Sequence, residues 1–252
     1  MANDNHARAA ASVALVSGAS KGIGEAIAMR LAADGFRVAV HYGGDHAGAD
    51  AVVKRIAEAG GTAKAFAANI AVAAEVKGLF DAVIAAFGGL DVLVNNAGVG
   101  LPPTPIAQVS EDDFDRVLTT NARGTFLMMR EAANRLPEDG RIVSIATSLS
   151  LTGRPGFGAY VASKSAIEGL TRVLARELAP KRITVNAVAP GPVDTALFRK
   201  GKTEAMLNAS AAFSPKNRVG QPGEIANVVA FLAGPESTWV TGQVVRANGG
   251  WI

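Results

Sequence analysis

The sequence predicts an α/β domain of the Rossmann type: a doubly wound parallel sheet of about seven strands with helices on both faces. Three observations predict it. Short runs rich in β-branched residues alternate with longer stretches of helical periodicity along nearly the whole chain, which is the βαβ pattern. Several of the short runs are apolar at every position, Val92-Leu93-Val94 among them, as expected of strands covered on both faces. The first strand runs directly into Gly18-Ala19-Ser20-Lys21-Gly22-Ile23-Gly24, and a helical pattern follows.

In chain order, strands are expected over residues 13–17, 37–42, 63–67, 91–94, 141–145, 184–188 and 243–246. Helices are expected over 23–33, 47–59, 73–87, 111–136, 158–179 and 223–232. The irregular stretch 194–222 is rich in Pro, Lys and Arg and holds a short helical pattern. An insertion of that length in a compact fold is usually a lid or binding loop, here placed near 195–217. No Pro/Ser/Gly-rich linker divides the chain, so 12–252 is read as a single domain. Residues 1–11 are polar, then alanine-rich. They lack the basic end and apolar stretch of a signal peptide and read as a frayed leader.

Composition narrows the function classes. A chain of 252 residues, 49% hydrophobic, can bury a sizeable core. Cysteine is absent, which removes disulfides and thiolate metal sites and fits a reducing, cytoplasmic location. His6, His41 and His46 do not have the short spacings of metal ligands, so no metal is expected. The net charge of +3 comes from scattered Lys and Arg, which does not argue for a nucleic-acid footprint. No apolar stretch reaches the ~18 residues of a membrane span.

Two motifs carry chemistry. In the glycine turn, Gly18 permits a tight exit from the strand, and Gly22 and Gly24 let backbone approach a ligand without a Cβ in the way. The following helix N-terminus offers unpaired N–H groups to phosphate. The second motif is Tyr160-Val161-Ala162-Ser163-Lys164. Tyr160 and Lys164 lie one helical turn apart and share a face. Free tyrosine has a pKa of about 10, and a nearby ammonium favours the phenolate and lowers it. A tyrosine and lysine one turn apart are by themselves a weak signal, usually a packed ring and a solvated amine.

Five further pieces stand in a fixed order beside these motifs. They are Asn95-Asn96-Ala97-Gly98 after the fourth strand, Asn121 within Asn121-Ala122-Arg123-Gly124-Thr125-Phe126, and Ser148 after the fifth strand. The last two are Pro190-Gly191-Pro192-Val193-Asp194-Thr195 after the sixth strand and the closing Ala247-Asn248-Gly249-Gly250. With this set the chain resembles the short-chain dehydrogenase/reductase family from about residue 12 to its end. Within that family it looks most similar to 3-oxoacyl-carrier-protein reductases and naphthol reductases.

The resemblance implies hydride transfer between a nicotinamide cofactor and a ketone or secondary alcohol, 3-oxoacyl thioesters among the possible substrates. It implies that Tyr160 is the general acid, and that Lys164 tunes it and binds the nicotinamide ribose. It implies that Asn121 kinks a helix to hold a relay water. Ser148 is assigned the helper hydroxyl, because chains of this look often shift by one residue in that loop. Thr147, thirteen residues before the tyrosine, is its rival. Strand alternation makes the two point opposite ways.

For the cofactor, the resemblance places Gly18, Ser20, Lys21, Gly22, Ile23 and Gly24 at the phosphates. It places Asn69 and Ile70 at the adenine, and Asn95, Ala97 and Gly98 at the adenosine ribose. Pro190, Gly191, Val193 and Thr195 fall at the nicotinamide side. An NAD site usually carries Asp or Glu at the end of the second strand, where this chain has Tyr42. With Lys21 nearby, a 2′-phosphate is favoured and NADP(H) is expected over NAD(H). Asp45, three residues on, could swing back. The expected substrate cleft is bounded by 102–105, 152–157 and 196–215, with Arg154, Arg199 and Lys202 at its rim. The resemblance also implies a homo-oligomer, a tetramer in preference to a dimer, through the helices at 111–136 and 158–179. Trp251 and Ile252 would be buried in a neighbour or packed on their own chain. Two other readings are an NAD-linked alcohol dehydrogenase and a non-catalytic nucleotide-sensing scaffold. The intact Tyr160–Lys164 pair speaks against the second.

Overall fold

A computed structural model of the chain describes residues 12–200 and 202–252. The leader expected over 1–11 lies outside the described residues. Seven strands form one sheet: β1 (Val13–Val16), β2 (Arg37–Tyr42), β3 (Thr62–Ala67), β4 (Val92–Asn95), β5 (Arg141–Ile145), β6 (Thr184–Pro190) and β7 (Val244–Ala247). Their order is β3-β2-β1-β4-β5-β6-β7, and every neighbouring pair is parallel.

The alternation of β1 decides how the sheet is covered. Ala14 and Val16 enter a core with Ile27, Leu31, Val40, Ile225 and Leu232. Val13 and Leu15 enter a second core with Phe80, Leu93, Met128, Ile142 and Val185. Period-two side chains thus feed both faces, and both are packed by helices, which is why β1 has no polar position. The first face carries α1 (Gly22–Ala33), α2 (His46–Glu58) and α10 (Pro222–Ala233). The second carries α3 (Ala73–Phe87), α5 (Gly124–Arg135) and α7 (Gly158–Glu177). Strand order reverses between β1 and β4. At such a switch point the two following loops diverge and open a crevice at the carboxyl ends of the strands.

The helix expected over 111–136 is not continuous. It divides into α4 (Glu111–Val117), a π-helical turn over Leu118–Arg123, and α5. Strand β6 runs to Pro190, longer than expected, because β7 pairs with it as far as Pro190 opposite Ala247. A short helix α6 (Leu149–Thr152) follows β5 where loop was expected. The 194–222 insertion holds α8 (Ala196–Arg199) and α9 (Glu204–Ala211). Each is started by a threonine cap: Thr195 Oγ1 accepts from Phe198 N at 3.1 Å and Thr203 Oγ1 from Met206 N at 3.3 Å. Among the described residues no helix is long and apolar enough to cross a membrane, and no cluster of His, Asp or Glu could hold a metal ion.

Candidate active site

The crevice is built first by the turn after β1. Gly18 and Gly22 adopt φ of +62° and +61°, the left-handed region that favours glycine. At Gly18 a Cβ would also stand 2.8 Å from the Ala97 Cα. The backbone of the turn therefore passes directly against the loop after β4. Lys21 begins α1 without a side-chain cap, which leaves the N–H groups of the first turn facing the crevice with no side-chain acceptor. These features fit a nucleotide diphosphate.

Three side chains stitch the turn together, and sequence reasoning singled out none of them for it. Ser17 Oγ accepts from the N–H groups of Asn96 and Ala97 at 2.9 and 3.0 Å. Asn96 Nδ2 donates to the carbonyls of Ser17 and Gly18 at 3.0 and 2.9 Å. His41, 1% exposed, accepts from Gly18 N through Nδ1 at 3.1 Å, and its Nε2–H donates to Ala68 O at 2.9 Å. Because Nδ1 accepts, the ring is neutral with its proton on Nε2. Burial also pushes His41 below its ordinary value near 6.5. The unfolded chain then binds a proton that the folded chain refuses, so stability falls as pH drops below about 6.5. Urea unfolding from pH 7 downward is expected to show this loss, and His41→Gln should flatten the slope.

The residues expected on the far side of the crevice converge with the turn. A Cβ on Gly22 would touch Thr195 Cγ2 at 3.4 Å. Pro190 O accepts from Ser148 N, Gly191 N donates to Ala247 O, and Val193 is 5% exposed. Asn69 is exposed, and its Oδ1 accepts from Ala71 N at 3.0 Å, so Nδ2 is the part of this amide left to reach outward. Ile70 is 5% exposed and packs against Gly124, where a Cβ would be 2.9 Å from its side chain. Asn95 is turned away from the crevice. Its Nδ2 donates to Ser144 Oγ at 3.0 Å inside the sheet, and its Oδ1 is buried without a hydrogen-bond partner.

At the end of β2 the Tyr42 ring lies 5.3 Å from that of His46. Lys21 Nζ pairs with Asp45 at 3.1 Å on the surface. Asp45 also accepts from Gly48 N at 3.2 Å, and these hydrogen bonds, Lys21's first, hold its carboxyl below the usual range. The acid does swing back, and Lys21 is not a free cation here. An exposed pair of this kind is weak, so an incoming phosphate can take the lysine from it.

Tyr160 and Lys164 lie on α7, one turn apart. Lys164 is 3% exposed. Its Nζ donates to Ile145 O at 2.7 Å and stands 6.0 Å from the Tyr160 ring centroid. Burial pushes this ammonium down to about 8. Burial likewise pushes the Tyr160 phenol up to about 12, opposed by a hydrogen bond with Thr147. The residue keeps some solvent contact as a whole, and it is the hydroxyl end that the protein surrounds. Lys164 does not lower Tyr160 in this structure: it is aimed at a carbonyl, and both groups are held toward their neutral forms.

The two candidate helper hydroxyls, Ser148 and Thr147, have different partners. Ser148, 1% exposed, donates through Oγ to Ala189 O at 3.0 Å and accepts from Asn248 Nδ2 at 3.2 Å. It ties β6 and the C-terminal segment to the end of β5. Thr147 offsets part of the rise of the Tyr160 phenol, and its Oγ1 accepts from Leu149 N at 3.3 Å. Both residues lie between the end of β5 and the start of the short helix α6.

Asn121 sits in the π-helical turn, fully buried. Its Oδ1 accepts from Val99 N at 2.8 Å, and its Nδ2 donates to Val99 O at 2.9 Å and Ser163 Oγ at 3.0 Å. Ser163 Oγ donates in turn to Tyr160 O at 2.7 Å. Gly98 lies against Asn121 and Lys164, where a Cβ would be 3.1 and 3.5 Å from them. This amide therefore locks the loop after β4 onto the helix carrying the tyrosine. A π-turn in such a place is a common mark of function.

A glycine-lined strand-to-helix cradle facing a buried tyrosine–lysine pair defines an α/β oxidoreductase of the dinucleotide-binding class. Residues 18–252 match the family model described as enoyl-(acyl carrier protein) reductase. The chain is 43% identical over 249 residues to a short-chain type dehydrogenase/reductase of Picea abies, covering 95% of this chain and 92% of that protein. It is 41% identical over 239 residues to the 3-oxoacyl-[acyl-carrier-protein] reductase FabG of Staphylococcus aureus, covering 94% and 96%. Its fold matches the crystal structure of a short chain dehydrogenase from Burkholderia cenocepacia in complex with NADP. The TM-score is 0.90 at 40% identity, over 96% of this chain and 98% of that one. The chain belongs to the short-chain dehydrogenase/reductase family.

Proposed function

We propose that the protein is an NADP(H)-dependent carbonyl reductase that interconverts a ketone and a secondary alcohol, with 3-oxoacyl thioesters one candidate substrate class. The observation that carries this reading is Tyr160 and the buried Lys164 one turn apart on the helix that Asn121 ties to the loop after β4. A bound nicotinamide supplies hydride to the carbonyl carbon. The chain's part is to hold the carbonyl oxygen between Thr147 Oγ1 and the Tyr160 hydroxyl, and to deliver the phenolic proton to that oxygen.

A phenol held neutral up to about pH 12 is in the donor form needed for reduction. Lys164, lowered to about 8 by burial, still carries its charge at neutral pH and favours negative charge that develops beside it. Asn121 acts as a positioning residue through its amide. A relay water beside Lys164 would be held by main chain of the π-turn, since the side-chain groups of Asn121 are already engaged. Gly18, Gly22 and Gly24 hold the diphosphate, and Lys21 leaves Asp45 for the 2′-phosphate. NADP is supported by the NADP-bound relative, and ketone reduction by the FabG relative.

Fluorescence titration with NADPH and NADH tests the cofactor, with NADPH expected to bind at least about 10-fold more tightly. NADPH consumption over 3-oxoacyl thioesters, quinones, small ketones and sugars tests the reaction. Bound NADPH with flat traces across the panel would return the chain to the sensor reading.

The two hydroxyls separate by substitution. Thr147→Val is expected to lower kcat/KM by about 10²-fold, as loss of one donor at a developing oxyanion does, and Thr147→Ser to retain most activity. Ser148→Ala is expected to leave kcat within a few fold and to cost ~1 kcal/mol of stability. The reverse pattern would restore Ser148 as the helper.

A homo-oligomer is part of the proposal. Phe114, Phe126 and Val173 are 44%, 44% and 56% exposed on the α4, α5 and α7 surfaces. A groove of about 460 Å³ at Phe114 is lined by apolar Ile106, Val109, Ala159 and Ala162 together with Ser110, Glu111 and Asp115. Exposed apolar side chains of this size suit a partner surface. Trp251 needs no neighbour, since it stacks on Phe213 at 5.1 Å; Ile252 is half exposed.

A further inference from the structure

The lid crosses the crevice and is fastened near both ends. Near its start, Thr195 caps α8 and lies against the nucleotide cradle, where a Gly22 Cβ would touch its Cγ2 at 3.4 Å. Near its finish, Phe213 meets the opposite wall. The Arg154 guanidinium carbon stands 4.9 Å from the Phe213 ring centroid and 5.7 Å from that of Phe157. Phe157 is the residue from which α7 begins, the helix that carries Tyr160. The loop of Arg154 is held to its neighbour by Thr104 N donating to Gly156 O at 2.9 Å. That neighbouring segment lies against the tyrosine, since a Cβ on Gly100 would stand 4.0 Å from Tyr160 Cδ2. Phe213 thus reaches the wall beside the phenol.

Phe213 has a second partner in the C-terminal segment. Its ring stacks on that of Trp251, with centroids 5.1 Å apart and planes 11° from parallel. The next lid residue, Ser214, is 6% exposed, and its Oγ donates to Gly249 O at 2.7 Å. A Cβ on Gly249 would stand 2.6 Å from that Oγ, so serine and backbone are in direct contact. Asn248 fixes the turn that brings Trp251 here. Its Oδ1 accepts from Gly250 N at 3.1 Å, and its Nδ2 donates to Ser148 Oγ at 3.2 Å. Ser148 directly follows Thr147 past the end of β5. Cleft wall, lid, C-terminal turn and strand end are therefore joined by one chain of contacts.

We propose that Phe213 pins the substrate lid, held by Trp251 from the C-terminal turn and by Arg154 from the cleft wall. Trp251 and Arg154 are then positioning residues for substrate binding. The inference rests on the cleft being that of the ketone reductase proposed above. A lid already held over the cleft leaves less to order when substrate arrives, so the pin acts on affinity. The chemical step is left alone, because α7 is held separately through Asn121 and Ser163. An aromatic stack and a cation over an aromatic face are each modest in strength, which suits a pin that also has to release product.

The test reads KM against kcat with NADPH and a ketone that the native protein reduces. Trp251→Ala is expected to raise KM for the ketone about 3–10-fold, with kcat and the NADPH Kd within a few fold. Trp251→Phe keeps a ring to stack and should restore KM. Arg154→Gln should raise KM about 2–5-fold, and Arg154→Lys should recover part of the loss. Arg154→Gln leaves the C-terminal turn intact, so it tests the pin even where Trp251→Ala does not fold. Unchanged KM in the folded variants would overturn the pin and leave the reductase reading intact.

A second readout stands apart from turnover. With NADPH present, trypsin cleavage after Arg199 or Lys202 of the lid is followed by mass spectrometry. Cleavage there reports how often the lid lifts. It is expected to be at least about 3-fold faster in Trp251→Ala and Arg154→Gln than in the native protein, and slowed again in Trp251→Phe. Faster lid cleavage in these variants, with no ketone reduced by the native protein, would uphold the pin and overturn the reductase reading. Equal cleavage in native and variant proteins would overturn the pin.

Discussion

Tyr160→Phe is expected to lower kcat by about 10²–10⁴-fold while NADPH affinity stays within a few fold. The substitution removes one hydroxyl and keeps the ring, so the packing of α7 is preserved. What disappears is the phenolic proton on the helix beside Lys164. Hydride transfer to carbon without a proton for oxygen would leave an alkoxide in a cleft that already disfavours charge, as the raised phenol and lowered ammonium both report. Steady-state rates and a fluorescence titration of the same preparation check the two halves. Retained turnover would remove Tyr160 from the mechanism.

Gly18→Ala is expected to have the opposite signature, losing nucleotide binding first. Two independent costs meet at this position. The residue has φ of +62°, where an L side chain costs of order 1–3 kcal/mol. The new methyl would stand 2.8 Å from the Ala97 Cα, a backbone atom that cannot rotate aside. The turn would have to move away from the loop after β4, breaking the bonds that Asn96 and His41 make to it. The expected result is at least a 10-fold rise in the NADPH Kd, with a fall in thermal stability. Titration and thermal unfolding in the absence of nucleotide read the two effects separately. Unchanged affinity would show that the diphosphate does not rest on this turn.

Much of this was legible in the residues because it depends on local pattern. β-branched runs and the glycine turn require only neighbours in sequence, and six of the seven strands differ from expectation by at most one residue at either end. The exception, β6, is lengthened by its pairing with β7, a long-range event. The interruption of the 111–136 helix falls at Asn121, where the resemblance implied a kink, and just before Gly124. It follows from the amide of Asn121 reaching Val99, twenty-two residues away.

The helper hydroxyl was harder for a related reason. Thr147 and Ser148 are adjacent and chemically alike, and only the positions of the Ala189 carbonyl and the Asn248 amide decide which one turns toward the tyrosine. His41 gave no signal as a lone histidine, since its work is done by two main-chain groups from separate strands. The expected tuning of Tyr160 by Lys164 followed from spacing alone. In the structure the ammonium is turned to Ile145, and burial governs both groups.

The central claim, that the chain passes hydride to a ketone carbon while Tyr160 protonates its oxygen, is tested most directly by isotope transfer. The native protein is incubated with NADPH deuterated at the nicotinamide C4 and a panel of ketones, and the products are analysed by mass spectrometry. The account predicts a secondary alcohol carrying one deuterium on its carbinol carbon, formed in step with the nucleotide consumed and lost in Tyr160→Phe. A deuterium-labelled alcohol formed equally well by Tyr160→Phe, or none from any ketone while NADPH is bound, would contradict it.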